Sequence, residues 1–166
     1  MLEPMKARSK IEDAVGDIFN GEPLKNILNL IAFMRENKMN PTCSYKNSWI
    51  SRTKKRVVCR FHIENDIFRA TPVIGLYSSD SLSDEHKQII WAKVEKRVNP
   101  CQNCENGTHC NHDGLSSHYG MKTVFGKKYE ENVCGQSISF NNPDSGEVDC
   151  IKELKKLRKN AISMEN

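Results

Sequence analysis

Cys101 and Cys104, in the run CQNC, stand at the spacing that lets two thiolates converge on one metal ion from a tight turn, and Cys110 and Cys134 follow downstream. Zinc prefers four tetrahedral thiolate or imidazole ligands and binds the deprotonated thiol, so a close pair lowers the geometric cost of assembling half the shell. The expected ligand set is Cys101, Cys104, Cys110 and Cys134, with His112 as the alternative ligand. A shell closed by four protein ligands leaves no position for substrate. Zinc here would be structural, ordering the polar stretch CQNCENGTHCNHDG, which has few apolar side chains of its own to pack.

Other chemistries of the same thiols stand beside this one. A single C-x-x-C is moderately specific, and the downstream cysteines do not form a second such pair, so unligated thiols are one alternative. A redox dithiol at Cys101 and Cys104 is another, although a thioredoxin-like pair opens a helix after a strand, whereas this one follows a helical pattern and Pro100. An iron–sulfur cluster is the third, and the gap of five residues before Cys110 matches neither common ferredoxin spacing. The chain carries no P-loop, no nucleotide-binding glycine fingerprint, no G-x-S-x-G elbow and no H-E-x-x-H, so no recognised catalytic signature assigns an enzyme.

The second group with chemical potential is basic. The formal charge of +4 is modest, so local clusters matter more than the total. Lys46, Arg52, Arg56, Arg60 and Arg69 fall on positions expected to face water from a sheet, where an anionic ligand, nucleic acid included, would find a positive field. Arg52, Arg56 and Arg60 are the candidate anion-binding residues. Tyr45 and Trp49 are the aromatic residues that could accompany them for stacking. The lysines from Lys152 to Lys159 alternate with apolar positions and are expected on the solvated side of a helix. His62 is expected as a sheet-surface side chain.

These residues need a scaffold, and 166 residues with 37% hydrophobic and 28% charged character suffice for a single α+β domain spanning 1–166, with a metal-binding subregion at 99–135. The apolar stretch LKNILNLIAFM is interrupted by Lys25, Asn26 and Asn29, short of a bilayer span, and the N-terminus shows no apolar signal region. A cytoplasmic protein without a membrane partner is expected. In that reducing compartment seven cysteines read as thiols or metal ligands rather than as a disulfide framework.

Ser9 to Phe19 and Glu22 to Asn37 read as two helices split at Asn20-Gly21, the second with a stripe of Leu24, Ile27, Leu28, Ile31 and Met34. Antiparallel strands are expected from Tyr45 to Arg52, Arg56 to Ile63 and Ile67 to Leu76. In the second, Val57, Cys59, Phe61 and Ile63 alternate with Arg56, Arg60 and His62, and Val58 breaks the alternation. A central helix runs from Ser83 to about Arg97. Short strands flank Gly126 and cover Ser137 to Phe140, and a last helix begins near Asn142-Pro143-Asp144 with Val148, Ile151, Leu154 and Leu157 inward. The fold class is thus an antiparallel sheet packed against N-terminal, central and C-terminal helices, with a cysteine-rich loop.

The runs IIWAKV, CQNC, TVFGKKYEENVC and FNNPDSGEVDCIKELKKL together resemble an uncharacterised family of small bacterial cysteine-rich proteins. The resemblance covers roughly Ile89 to Leu157 and rests on Trp91, Cys101, Cys104, Phe125, Gly126, Lys127, Cys134, Asn142, Pro143 and Cys150. It implies that the cysteine region belongs with the last helix, and it brings no activity with it. The expected function is a small binding or regulatory module with structural zinc; the alternative is a thiol-dependent redox enzyme or sensor using the C-x-x-C pair.

Overall fold

The structure is a computed structural model that describes residues 10–73, 82–96, 123–129 and 138–165. It is α+β, as expected. The chain divides into two compact units, one formed by the segment up to Val73 together with the segment from Ser139, the other by Ile74–Ile138. The ligand candidates Cys101, Cys104, Cys110, Cys134 and His112 lie outside the described residues. Among the described residues no helix is long and apolar enough to cross a membrane.

The first unit begins with helices α1 (Ile11–Ile18) and α2 (Gly21–Glu36). Ile11 and Val15, one turn apart, are buried. Gly21 takes a positive φ of 58° at the junction, a conformation a side chain would resist. Arg35 then clamps α2 to α1 by donating through two nitrogens to the Glu12 carboxylate, one bond measuring 2.8 Å, which pulls the Glu12 pKa below its ordinary value. The buried stripe of α2 is Ile27, Leu30, Ile31, Phe33 and Met34. Leu28, expected inward, is partly exposed, because Leu30 and Phe33 rotate the apolar face away from it.

Strands β1 (Thr42–Tyr45), β2 (Ser48–Thr53), β3 (Arg56–Glu64), β4 (Ile67–Pro72) and β7 (Phe140–Asn141) form one antiparallel sheet in the order β1-β2-β3-β4-β7. The single strand expected over Tyr45–Arg52 is in fact a hairpin that turns at Lys46-Asn47. Asn47 supplies the left-handed conformation at φ 57°, which asparagine tolerates better than most residues. The inner face carries Trp49, Ser51, Cys59, Phe61, Ile63, Phe68, Ala70 and Phe140, all buried, with Phe61 and Phe68 stacked at 5.8 Å.

Val58 breaks the alternation of β3 because it is a β-bulge. Ser51 of β2 pairs with Cys59 while the next residue, Arg52, pairs with Val57, so Val58 is the extra residue. A bulge inverts the side-chain phase beyond it. Val58 and Cys59 are both buried, Val57 turns to the outward face opposite Arg52, and Arg56 leaves the face that Arg60 occupies. This corrects the expectation that Val57 points inward and that Arg56 and Arg60 share one face. Arg56 forms an ion pair with Glu165, at the end of the helix that packs against the inner face.

That helix, α4 (Ser145–Met164), starts in a reciprocal capping box: Asp144 accepts from the Glu147 backbone at 2.8 Å, and Glu147 accepts from the Asp144 backbone at 3.2 Å. Its buried stripe includes Val148, Ile151, Leu154 and Ile162, and also Lys155, which is fully buried. The sequence pattern puts Lys155 on the solvated side with its neighbouring lysines. Instead its ammonium donates to the Val58 carbonyl at the bulge and, at 3.3 Å, to the Val73 carbonyl. The Val58 carbonyl already accepts from the Val73 N–H at 3.0 Å, and the ammonium adds a second bond there.

In the second unit, α3 (Asp84–Glu95) is capped by Ser83, whose hydroxyl accepts from the His86 backbone at 3.3 Å. Strands β5 (Thr123–Val124) and β6 (Lys127–Lys128) form a hairpin whose turn, Phe125-Gly126, has φ of 45° and 84°. The half-buried Trp91 of α3 donates its indole N–H to the Val124 carbonyl at 2.8 Å.

Two outcomes follow from this packing. The β2–β3 turn places both Lys54 and Lys55 at positive φ, 47° and 67°, where asparagine and glycine are favoured. Lys54→Asn combined with Lys55→Gly should stabilise the protein by about 1 kcal/mol, read as a higher urea midpoint at unchanged slope. An unchanged midpoint would mean that the turn carries no strain.

The second outcome concerns pH. Burial lowers the Lys155 pKa from 10.5 to about 8, so the unfolded chain holds the extra proton in between and stability climbs as pH rises through that window. Burial raises the Cys59 pKa from 9.0 to about 11, so the unfolded chain loses its proton first and stability falls between those values. The slopes oppose each other above about pH 9, leaving a net climb from about 8 to 9 of about 1.4 kcal/mol. Denaturant midpoints across this range should show the climb, Lys155→Met should abolish it, and Cys59→Ala should extend it towards pH 10.5. Parallel pH profiles in all three proteins would refute the assignment.

Candidate functional site

The outward face of the five-stranded sheet is built by cross-strand registry. One row runs Thr42, Ile50, Arg60 and Thr71 across β1 to β4, and the next runs Ser48, His62, Arg69 and Asn141 across β2, β3, β4 and β7. Side chains in such rows stand side by side, about 5 Å apart. Arg60 is therefore flanked by Ile50 and Thr71, and Arg52 lies diagonally across β2 from it.

The arginines differ in what holds them. Arg69 donates to Asn141 Oδ1 at 3.2 Å, and Arg56 is taken by Glu165. Arg52 and Arg60 are exposed and have no hydrogen-bond or ion-pair partner among the described residues. Of the three candidates, the structure brings Arg52 and Arg60 to the outward face and sends Arg56 elsewhere. Lys46 is exposed in the β1–β2 turn. Trp49, the other stacking candidate, is buried in the core, while Tyr45 is 78% exposed.

The second row ends in a cleft. Ser48 Oγ and His62 Nδ1 are 2.7 Å apart, which fixes the imidazole ring in place with either tautomer. His62 Nε2 lies 3.9 Å from a Glu64 carboxylate oxygen, close enough for attraction and too far for a hydrogen bond. Serine, histidine and acid thus fail to make the bonded relay that nucleophilic catalysis requires, and His62 serves as an oriented polar group. Beside it the two turns meet the end of α1 around a cleft of about 340 Å³, lined by Ile18, Tyr45, Lys46, His62, Glu64 and Asp66 among others. The Ile63 N–H donates to the Asn47 carbonyl at 3.0 Å, tying the β1–β2 turn to β3 and holding the cleft wall. An exposed aromatic ring, a branched aliphatic floor and charges of both signs suit recognition of a flat polar group.

Sequence reasoning placed Tyr45 near this face and missed the Ser48–His62 pair, whose members are fourteen residues apart and meet only through the strand register. It also missed Lys155, although Val148, Lys155 and Ile162 recur at intervals of seven on one helix stripe.

The metal expectation stands apart from this face. Among the described residues no three His, Cys, Asp or Glu side chains converge as ligands. Cys59 and Cys150 are buried, and the half-buried Cys43 donates weakly to the Tyr45 carbonyl at 3.5 Å. In the second unit, Lys127 forms an ion pair with Glu95 and sits 5.7 Å from the Trp91 ring and 5.4 Å from the Tyr129 ring. The end of α3 and the β5–β6 hairpin are thereby fastened together within the second unit. No family model, no curated protein and no solved structure matches this chain.

Proposed function

We propose that the chain is a cytoplasmic binding module whose outward sheet face takes an anionic ligand, nucleic acid among the candidates, and whose cysteine-rich loop is ordered by structural zinc. The observation that carries the first part is the contrast among the arginines. Arg56 and Arg69 are neutralised or bonded by neighbours, whereas Arg52 and Arg60 stand exposed and unpaired on one face among the described residues. An exposed arginine fork keeps its bidentate geometry available to phosphate or carboxylate.

Replacing Arg52 and Arg60 together by alanine should weaken polyanion binding and reduce its salt dependence, each lost phosphate contact lowering the slope of log affinity against log salt by about 1. Arg56→Ala should leave that binding unchanged, since its guanidinium already serves Glu165. The measurement is a salt-dependent titration with a short single-stranded nucleic acid beside a non-nucleic polyanion. No binding at low salt would remove the proposal, and equal binding to both polymers would reduce it to a nonselective electrostatic patch.

Zinc at Cys101, Cys104, Cys110 and Cys134, with His112 as the alternative ligand, is supported by the spacing of the first pair and by the fastening of the flanking elements. Cys101 follows Glu95 by six residues and Cys134 follows Lys127 by seven, and those two anchors are an ion pair. Each cysteine is tethered within roughly 20–25 Å of a shared point, so both can reach one ion without rearranging the hairpin. Purified protein should carry about one zinc per chain by elemental analysis. Cys101→Ser and Cys104→Ser should each lose it, whereas Cys59→Ser should keep it and lose stability. Metal-free protein with all loop thiols reactive would favour the redox reading of the Cys101–Cys104 pair.

A further inference from the structure

The seam between α4 and the β2–β3 hairpin holds several buried polar groups without hydrogen-bond partners among the described residues. The fully buried Lys155 and the half-buried Arg158, one turn apart, lie on the same stripe of the helix. Two of the three Lys155 N–H groups are used by the Val58 and Val73 carbonyls, leaving one. The Nε of Arg158 is buried and has no hydrogen-bond partner. From the sheet, the hydroxyls of Ser51 and Thr53 are likewise buried without partners, and Ser51 as a whole is fully buried.

Registry brings these groups to one place. Ser51 pairs across the sheet with Cys59, which adjoins Val58, the residue whose carbonyl receives Lys155. Thr53 follows Ser51 by two residues on the same face. Arg158 lies on the helix stripe between Lys155, fixed at Val58, and Glu165, fixed at Arg56. The Cys59 thiol donates to the Arg60 carbonyl at 3.7 Å and adds no strong acceptor.

Charge adds to the need for a partner. Neither Lys155 nor Arg158 has a carboxylate partner among the described residues, and the nearest acid along the stripe, Glu165, is committed to Arg56. For Lys155, which is fully buried, a missing counter-charge is costly, and so is a missing partner for a buried hydroxyl. A water molecule would answer some donors and none of the charge. A small anion answers both, because it accepts from several donors at once and neutralises the field that the two cations impose on each other.

We propose that this seam is a buried site for one small monovalent inorganic anion of the chloride class, held by Lys155, Arg158, Ser51 and Thr53. The small size follows from the burial of the donor atoms themselves, which leaves no path for a bulky ligand. The site is separate from the outward face, since its residues point to the opposite side of the sheet.

The test is thermal denaturation of the full chain at constant ionic strength while chloride replaces gluconate. The expected result is a saturable rise of the melting temperature with chloride, as for any ligand that binds only the folded state. Ser51→Ala and Thr53→Val, which should both fold, are each expected to weaken the apparent anion affinity by about tenfold, the loss of one hydrogen bond to a charged group. Arg158→Met should remove the dependence. Bromide exchanged into crystals should give an anomalous peak beside Lys155 Nζ. Equal melting temperatures in the two salts would overturn the proposal, as would a chloride effect that survives unchanged in all three variants, since that would place the anion elsewhere.

Discussion

A single extra residue in β3 governs much of the first unit. The bulge at Val58 shifts the side-chain phase of the strand, and the Val58 carbonyl accepts from the buried Lys155. The Val58 carbonyl also accepts from the Val73 N–H at 3.0 Å, and Lys155 in turn reaches the Val73 carbonyl. One ammonium thus ties α4, the bulge and the end of β4 together. Burying a cation costs more than burying a leucine of similar volume, and the two carbonyl hydrogen bonds offset part of that cost. An apolar residue could fill the space, but it would remove the hydrogen bonds that join the helix to both carbonyls.

The same bulge sorts the positive charge of the sheet. Without it, Arg56 and Arg60 would lie on one face at alternate positions of a regular strand. With it, Arg56 turns toward Glu165 and becomes part of the helix attachment, while Arg60 remains outward near Arg52. Local charge therefore cannot be read as a functional patch by composition alone. Two arginines four residues apart have different work, one closing the helix against the sheet and the other presented to solvent.

This explains what was legible in the sequence and what was not. The helices were legible because capping residues and apolar spacing act locally: Asp144 with Glu147, Ser83 before His86, and the Ile27, Ile31 and Met34 stripe. Cys59 was legible as a core residue because Val57 and Phe61 flank it at alternate positions, although Val57 turns outward at the bulge. Val58 was visible as an irregularity, but its consequence was not, since a break in alternation does not say which neighbours change sides. The hairpin inside Tyr45–Arg52 was hidden because Lys46-Asn47 is a weaker turn signal than Asn-Gly. Lys155 was hidden by its company, since it sits among lysines of which only it falls on the stripe of Val148 and Ile162. The Ser48–His62 pair depends on strand register, which no local pattern encodes.

The motif residues that suggested a cysteine-rich family divide on structural grounds. Gly126 occupies a φ of 84°, Trp91 satisfies the Val124 carbonyl with its indole N–H, and Lys127 joins Glu95 to two aromatic rings. Asn142 caps the sheet by accepting from the Phe68 N–H at 2.8 Å, and Cys150 is buried on α4. Each of these has a reason to be present that involves packing or hydrogen bonding alone. Cys101, Cys104 and Cys134 belong to the same motif and lie outside the described residues, so packing supplies no account of them. The proposal of a metal there rests on their spacing, since a close thiol pair makes a good half-shell for an ion that takes thiolates. The fastening of α3 to the β5–β6 hairpin through Lys127 would lower the cost of assembling the proposed shell, because two of its anchors are already held together.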